Sequence, residues 1–187
     1  MILKLIEAQA INVNITQSDL NAFEQAVRAL THNNFQDFNV RGYELTLKGY
    51  TITMERGSTT GLRVGDTVEI NDTKYNNGLY VVKTLTLTGI EVEETTISFI
   101  KNEVHEPFID ETCEEGIVTK VAYPADIITG VKKLIEYDVK MGGKAGIKSE
   151  TISRMSVTYY DVNSTENVDG YPAALLSFLK KYKKMRW

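Results

Sequence analysis

The chain of 187 residues has little of the chemistry that catalytic and metal sites use most, because it contains one cysteine and two histidines. The single cysteine, Cys113, excludes an intrachain disulfide and a cysteine zinc cluster. His32 and His105 stand in no spacing typical of a metal site or of a nucleophile-and-base arrangement. We therefore predict a protein that is not an enzyme and that holds no metal and no cofactor.

Long apolar runs are also missing. The longest spans only a few residues, whereas a transmembrane helix needs about 20. Residues 1–16 lack the small-residue cleavage site of a secretory signal. Hydrophobic residues make up 42% and charged residues 25% of the chain, which is an ordinary globular mixture. We expect a protein made in a cytoplasm, with no membrane partner.

The charge of the chain is unevenly distributed. The net charge of −4 argues against a general nucleic-acid binder. Residues 91–115 contain nine acidic residues and one lysine, whereas residues 171–187 contain five basic residues and no acidic one. Such separation is typical of interaction surfaces. A solvated acidic loop and a solvated lysine-rich helix face would give the same pattern.

Apolar residues at helical spacing predict three helices, at about 18–31, 124–141 and 171–184. Thr16 or Ser18 can cap the first helix, and a pair of glycines at 142–143 ends the second. The inward-facing residues predicted in the last helix are Leu175, Leu176, Leu179 and Tyr182. The two ends of the chain are thus predicted to be helical.

The middle of the chain, residues 42–121, has the pattern of antiparallel β structure. It holds fourteen of the chain's twenty threonines. Apolar and polar residues alternate along its short segments, which are separated by turn signals such as the Asn-Asn-Gly at 76–78. We therefore predict an α+β fold. A helical core, formed by residues 1–41 and 122–187, carries residues 42–121 as an inserted antiparallel barrel or sandwich domain.

One segment carries a family signature. Residues 147–159 read IKSETISRMSVTY, and residues 170–172 (Gly-Tyr-Pro) then open a basic terminal segment. This order resembles the head–tail connector (adaptor) proteins of long-tailed bacteriophages, in which the run reads (V/I)-K-S-E-x-I-G-D-Y-S-V-x-Y. The matching positions are Lys148, Ser149, Glu150, Ile152, Ser156, Val157 and Tyr159. Residues 153–155 replace the family's Gly-Asp-Tyr, so we expect a different turn there. The resemblance covers residues 122–187 and, more loosely, the first helix.

The resemblance implies a structural virion protein in the neck, made in the cytoplasm of the bacterial host. The helical core would be a connector core. About twelve copies would form a ring under the portal protein, joined through heterologous contacts. The ring would extend the DNA channel, pass DNA without sequence-specific binding, and join the capsid to the stopper or tail proteins. The residues expected at the portal or partner interface are Lys180, Lys181, Tyr182, Lys183, Lys184, Arg186 and Trp187.

Two other functions remain open at this stage. One is a different neck or tail protein, such as a head-completion or tail-terminator protein. The other is a small β-barrel binding module with helical appendages, which would recognise a peptide or a nucleic acid. Formation of a ring with the portal would distinguish the virion proteins from the binding module.

Overall fold

A computed structural model describes residues 1–92, 107–141, 149–152, 155–158, 167–168 and 171–185, with the backbone alone described between 149 and 168. The elements in chain order are α1 (Leu5–Gln9), α2 (Gln17–Thr31), β1 (Gln36–Gly49), β2 (Thr51–Gly57), β3 (Thr67–Asn71), β4 (Gly78–Leu85), β5 (Gly89–Val92), β6 (Phe108–Val121), α3 (Ala125–Met141), β7 (Ser149–Ile152), β8 (Met155–Thr158), β9 (Asn167–Val168), β10 (Tyr171–Pro172) and a terminal 3-10 helix (Ser177–Tyr182).

Strands β1 to β6 form a closed antiparallel barrel in the order β1-β2-β5-β4-β3-β6. Strands β1 and β6 have 14 residues each and close the barrel by pairing from Gln36 opposite Val121 to Gly49 opposite Phe108. Three register shifts interrupt this ladder, and such bulges increase the bend and twist of a strand. The side chains that fill the barrel are Leu45, Leu47, Ile52, Met54, Val68, Ile70, Tyr80, Val82, Ile90, Val92, Phe108 and Val118.

The helices cover part of the outer surface of the barrel. Neighbouring residues on a strand point to opposite faces, and in β4 both faces are buried. Tyr80 belongs to the barrel interior, whereas Leu79 belongs to a second apolar cluster that includes α2, α3 and the terminal 3-10 helix. Val121, at the end of β6, also belongs to that second cluster. The helices therefore bury their apolar stripes together with outward-facing residues of the barrel.

The predicted fold class, a helical connector core with an inserted barrel, is wrong. The closed barrel is the main body of the described chain, and the helices are few and short. The physical reason is that Leu79 and Val121 offer the helices an apolar surface on the barrel itself. The barrel also begins at Gln36, before the predicted boundary at residue 42. That residues 42–121 form a separate domain stays a prediction.

Two of the three predicted helices are present, since α2 and α3 lie close to the predicted ranges. The third, predicted at 171–184, is wrong. Tyr171–Pro172 pairs with β9, and the chain then continues through turns into the 3-10 helix. A 3-10 helix places residues three apart on one face, which is the spacing of Leu176, Leu179 and Tyr182. Among the described residues, no helix combines the length and the apolarity needed to cross a membrane.

Candidate functional site

Residues 171–185, called here the terminal segment, are anchored to the helices by apolar contacts and by polar contacts. Leu176 and Leu179 are buried, as predicted, in the cluster that includes α2 and α3. The Tyr182 hydroxyl donates a hydrogen bond of 2.5 Å to Asp126 at the start of α3, and the Tyr182 ring lies 5.9 Å from that of Phe35. Tyr182 is therefore an anchor of the segment as well as a predicted interface residue.

The lysines of the terminal segment differ in their surroundings. Lys181 forms an ion pair with Asp126. Hydrogen bonds from Lys181 and Tyr182 hold the pKa of the Asp126 carboxyl below its ordinary value, and Asp126 raises the pKa of Lys181. Lys180 and Lys183 are exposed. Their charge is therefore available at the surface, whereas that of Lys181 is already compensated within the fold.

The exposed aromatic ring of Phe38 lies near Lys184. The backbone N–H of Lys184 donates to the carbonyl of Thr31, and the Lys184 ammonium lies 5.8 Å from the centre of the Phe38 ring. The Arg41 guanidinium lies 4.1 Å from the centre of the same ring. Phe38 is 59% exposed although it is a large aromatic residue. We call this patch the basic end, formed by Phe38, Arg41, Lys180, Lys183, Lys184 and Met185.

The basic end contains three of the predicted interface residues and several that were not predicted. Arg186 and Trp187, also predicted, lie outside the described residues. Phe38 and Arg41 come from β1, more than a hundred positions away in sequence, and no local pattern links them to the terminal lysines. A role of these residues in partner binding stays a prediction.

The residues that resemble the connector family lie in a β-hairpin. Strands β7 and β8 pair antiparallel, from Ser149 opposite Thr158 to Ile152 opposite Met155. The matching positions Ser149, Glu150, Ile152, Ser156 and Val157 lie on these two strands. Lys148 and Tyr159 lie outside the described residues, as do residues 153–154 between the strands. An extended arrangement of this run agrees with its sequence.

The first half of β6, residues 108–115, carries exposed acidic side chains. Asp110, Glu114 and Glu115 are exposed, and the apolar side chain of Ile109 is more than half exposed. We call residues 108–115 the acidic half of β6. Residues 93–106, which contain much of the acidic sequence, lie outside the described residues. Charge and apolar surface are thus combined here, as at the basic end, but with the opposite sign.

Hydrogen bonds hold the loop before β4 against the acidic half of β6. The Asn76 side chain donates to the carbonyl of Ile109 at 2.9 Å and accepts from its N–H at 3.0 Å. The Glu111 carboxylate accepts the N–H groups of Lys74 and Tyr75, at 2.8 and 3.2 Å. These bonds fix the loop, so that the half-exposed Tyr75 ring is presented beside β6.

Sequence reasoning missed a group of polar residues between α2 and the barrel. The buried Glu24 carboxylate accepts a 2.8 Å bond from the Tyr123 hydroxyl and lies 3.4 Å from the Met1 amine. Burial raises the pKa of Tyr123 and lowers that of the amine. Nearby, Arg28 and Glu69 form an ion pair of 2.6 Å. Such groups satisfy one another's hydrogen bonds, so we assign them to stability.

His32 and Cys113, the described residues that could serve in catalysis, each have a local structural role. His32 ends α2 in a left-handed conformation, and the Cys113 thiol donates to the carbonyl of Asp72 at 3.1 Å. His105 lies outside the described residues. Within the described part of the chain, no group of three or more His, Cys, Asp or Glu residues could hold a metal ion. No protein-family model matches the chain, and no curated protein matches it either.

Proposed function

We propose that the chain is a structural virion protein, a head–tail connector that forms a ring of about twelve copies under the portal. The ring extends the DNA channel and joins the capsid to the stopper or tail, without sequence-specific contacts to the DNA. Support comes from the family signature at residues 147–159 and from the distribution of exposed charge on the barrel. The protein carries out no reaction and needs no metal or cofactor for this role.

The observation that carries the proposal is the position of the two charged surfaces at opposite ends of the same strands. The basic end lies where the start of β1 meets the end of β6, and the acidic half of β6 begins where that strand pairs with the end of β1. A strand of 14 residues spans on the order of 45 Å. Exposed basic and acidic residues are therefore concentrated toward different ends of these two strands, which suits a protein that joins two different partners.

In the proposed connector the basic end contacts the portal. The Lys184 ammonium lies 5.8 Å from the centre of the Phe38 ring, and an aromatic residue beside a charged rim is the usual composition of an interface anchor. The rim charges accelerate association and make it sensitive to salt, whereas the aromatic ring slows dissociation. The acidic half of β6, with Ile109 and Tyr75 as its apolar part, faces a partner on the tail side.

The test is binding of the full chain to the portal protein of the same virus, with charge reversal at Lys180→Glu, Lys183→Glu and Lys184→Glu. Each of these side chains is exposed, so we expect an unchanged melting temperature. Binding at near-physiological salt should fall by at least tenfold, since the rim charges change sign. This variant is sharper than a deletion of residues 180–187, which would also remove the Tyr182 anchor.

The matched control reverses three other exposed lysines, Lys48, Lys133 and Lys140. This control should bind the portal like the wild type. Equal loss of binding in both variants would mean that net charge alone matters, and the basic end would not be the docking surface. Wild-type binding by the Lys180→Glu, Lys183→Glu, Lys184→Glu variant would also exclude the basic end as the docking surface.

Ring formation is tested separately, by negative-stain electron microscopy and native mass spectrometry of the chain with and without portal. Rotationally symmetric particles on the portal are expected. A tail-terminator or head-completion protein would instead form a ring that does not attach to the portal. A monomer that does not bind the portal would favour the small β-barrel binding module. The closed barrel is also compatible with that function.

A further inference from the structure

A cavity of about 480 Å³ opens between the segment before α2, helix α2 and helix α3. Binding sites for small molecules usually have volumes of 300–1,000 Å³. The walls are mainly apolar and are formed by Ala22, Phe23 and Ala26 of α2 and by Ile135 of α3. The cavity lies on the helical side of the molecule and includes no residue of the basic end or of the acidic half of β6.

The polar residues described in the cavity lining are Asn12, Asn14, Asp19 and Asp138, of which the two charged ones are acidic. Asp138 of α3 is half-buried, and its Oδ2 accepts a hydrogen bond of 2.6 Å from the Tyr171 hydroxyl. Burial raises the pKa of the Asp138 carboxyl, and the charge of Asp19 raises it further. Among the described residues that line the cavity, none is lysine, arginine or histidine. A cation brought into the cavity would therefore find uncompensated negative charge.

Aromatic rings stand beside this carboxylate. Phe23 and Tyr171 both line the cavity, and their rings are 6.4 Å apart. A cation within about 6 Å of an aromatic face is attracted by the ring, more strongly where water is excluded. An apolar wall, a carboxylate and aromatic faces are together complementary to a ligand that has an alkyl stem and a positively charged head.

We propose that this cavity binds an organic cation of that kind, an aliphatic ammonium or guanidinium group on an apolar stem. An anion would be repelled by Asp138 and by Asp19 at the rim. A wholly apolar ligand would desolvate the Asp138 carboxylate further and offer it no bond beyond the one from Tyr171, which is costly. The proposal is independent of the connector function, because a cationic side chain of another protein and a free aliphatic amine share this chemistry.

The experiment is a titration of the full chain with pentylamine, followed by the NMR methyl signals of Ala22, Ala26 and Ile135. The matched ligand is 1-pentanol, which has the same stem without the charge. For so small a ligand we expect a Kd on the order of 1 mM. Pentanol should bind at least tenfold more weakly. Equal binding of the two, or no saturable shift up to about 50 mM ligand, would overturn the proposal.

Two variants locate the binding energy. Asp138→Asn keeps an acceptor for the Tyr171 hydroxyl but removes the charge, and we expect at least a tenfold loss of pentylamine binding. Phe23→Leu keeps apolar contact but removes the aromatic face, and it should weaken binding several-fold while leaving pentanol binding nearly unchanged. The control is Asp110→Asn, far away on β6, which should have no effect. Undiminished binding in Asp138→Asn would refute the site.

A second arm distinguishes the two sources of the cation. The probe is a short peptide in which one lysine stands between glycines, with both ends blocked. Binding of both pentylamine and the peptide would assign the cavity to a protein side chain. Binding of pentylamine alone would assign it to a free amine. Both results depend on Asp138, and neither depends on whether the chain binds the portal.

Discussion

Replacement of Arg28 by methionine tests whether a buried ion pair joins helix α2 to the barrel. The guanidinium lies 2.6 Å from the Glu69 carboxylate of β3, and the two side chains are only 10% and 11% exposed. Gln36 donates a further hydrogen bond of 2.8 Å to the same carboxylate oxygen. Arg28 also donates to the carbonyl of Asn34, just beyond α2. The pair therefore holds a helix, a strand and the connection between them.

The structure sets the expected size of the effect. Removing one partner of a buried ion pair costs about 3–5 kcal/mol, because the other charge stays buried without compensation. Glu69 keeps its bond from Gln36 and some contact with solvent, so we expect a loss near the lower limit, about 3 kcal/mol. For a chain of this size that corresponds to a melting temperature lower by roughly 6–12 °C.

The assay is urea unfolding of four proteins at one fixed concentration: wild type, Arg28→Met, Glu69→Leu and the double variant. Because both charges are absent from the double variant, its free energy of unfolding should lie within about 1 kcal/mol of the wild type. The exposed pair Arg56–Glu44, with side chains 72% and 34% exposed, is the control, and Arg56→Met should cost less than about 1 kcal/mol. If Arg28→Met costs no more than Arg56→Met, or if the two single losses simply add, the reasoning is refuted.

Two further predictions concern the terminal segment and the barrel interior. A Cβ at Gly130 would lie 2.4 Å from ring atoms of Phe178. Gly130→Ala should therefore lower the free energy of unfolding by about 1–3 kcal/mol through overpacking, and it should accelerate tryptic cleavage of the terminal segment. Unchanged stability and cleavage would contradict this packing. Burial and the charge of Glu111 raise the pKa of Tyr80 to about 12. Between about pH 10 and 12 the Tyr80 hydroxyl therefore loses its proton in the unfolded chain but keeps it in the folded one. The folded state loses stability across this range as a result. The stability advantage of wild type over Tyr80→Phe, measured by urea unfolding, should therefore fall across that pH range, and a constant difference would count against it.

The sequence alone determined the two longest helices, α2 and α3. Thr16 and Asp19 form a capping box at the start of α2, in which each side chain bonds the backbone N–H of the other residue. Such a cap depends only on residues within one turn of the chain. The apolar stripe of α3 likewise repeats at helical spacing, with Ile127, Val131 and Leu134 buried. Local interactions of this kind can be predicted from the sequence without knowledge of the tertiary structure.

The terminal 3-10 helix was less accessible to sequence reasoning. Leu175, Leu176, Leu179 and Tyr182 suit either an α-helix or a 3-10 helix, because spacings of three and four both occur among them. In the folded chain, bonds from residue 175 to 172, 177 to 174 and 179 to 176 follow the tighter pattern. Close approach of Phe178 to Gly130 accompanies this arrangement. Such packing involves partners distant in sequence, so no local pattern contains it.

The fold class was missed because the sequence does not say what covers each strand. The run of buried residues 79–82 is typical of a strand covered on both faces. Thr67 and Glu69 of β3, however, have the polar character of solvent-facing residues and are buried. Thr67 accepts a bond from the Met1 amine, and Glu69 pairs with Arg28. Only these distant partners explain why a strand with polar outward residues lies under helices.

The lysines of the terminal segment and the acidic residues of β6 were visible in the sequence as two opposite charge clusters. The position of the acidic residues relative to Phe38 was decided by the pairing of β1 with β6, and the approach of Lys184 to Phe38 by the packing of the terminal segment on α2. The cavity beside Asp138 likewise combines residues of α2, α3 and Tyr171. Composition and local spacing determine charge and helix formation, whereas sites that join distant segments depend on the strand pairing and packing of the whole chain.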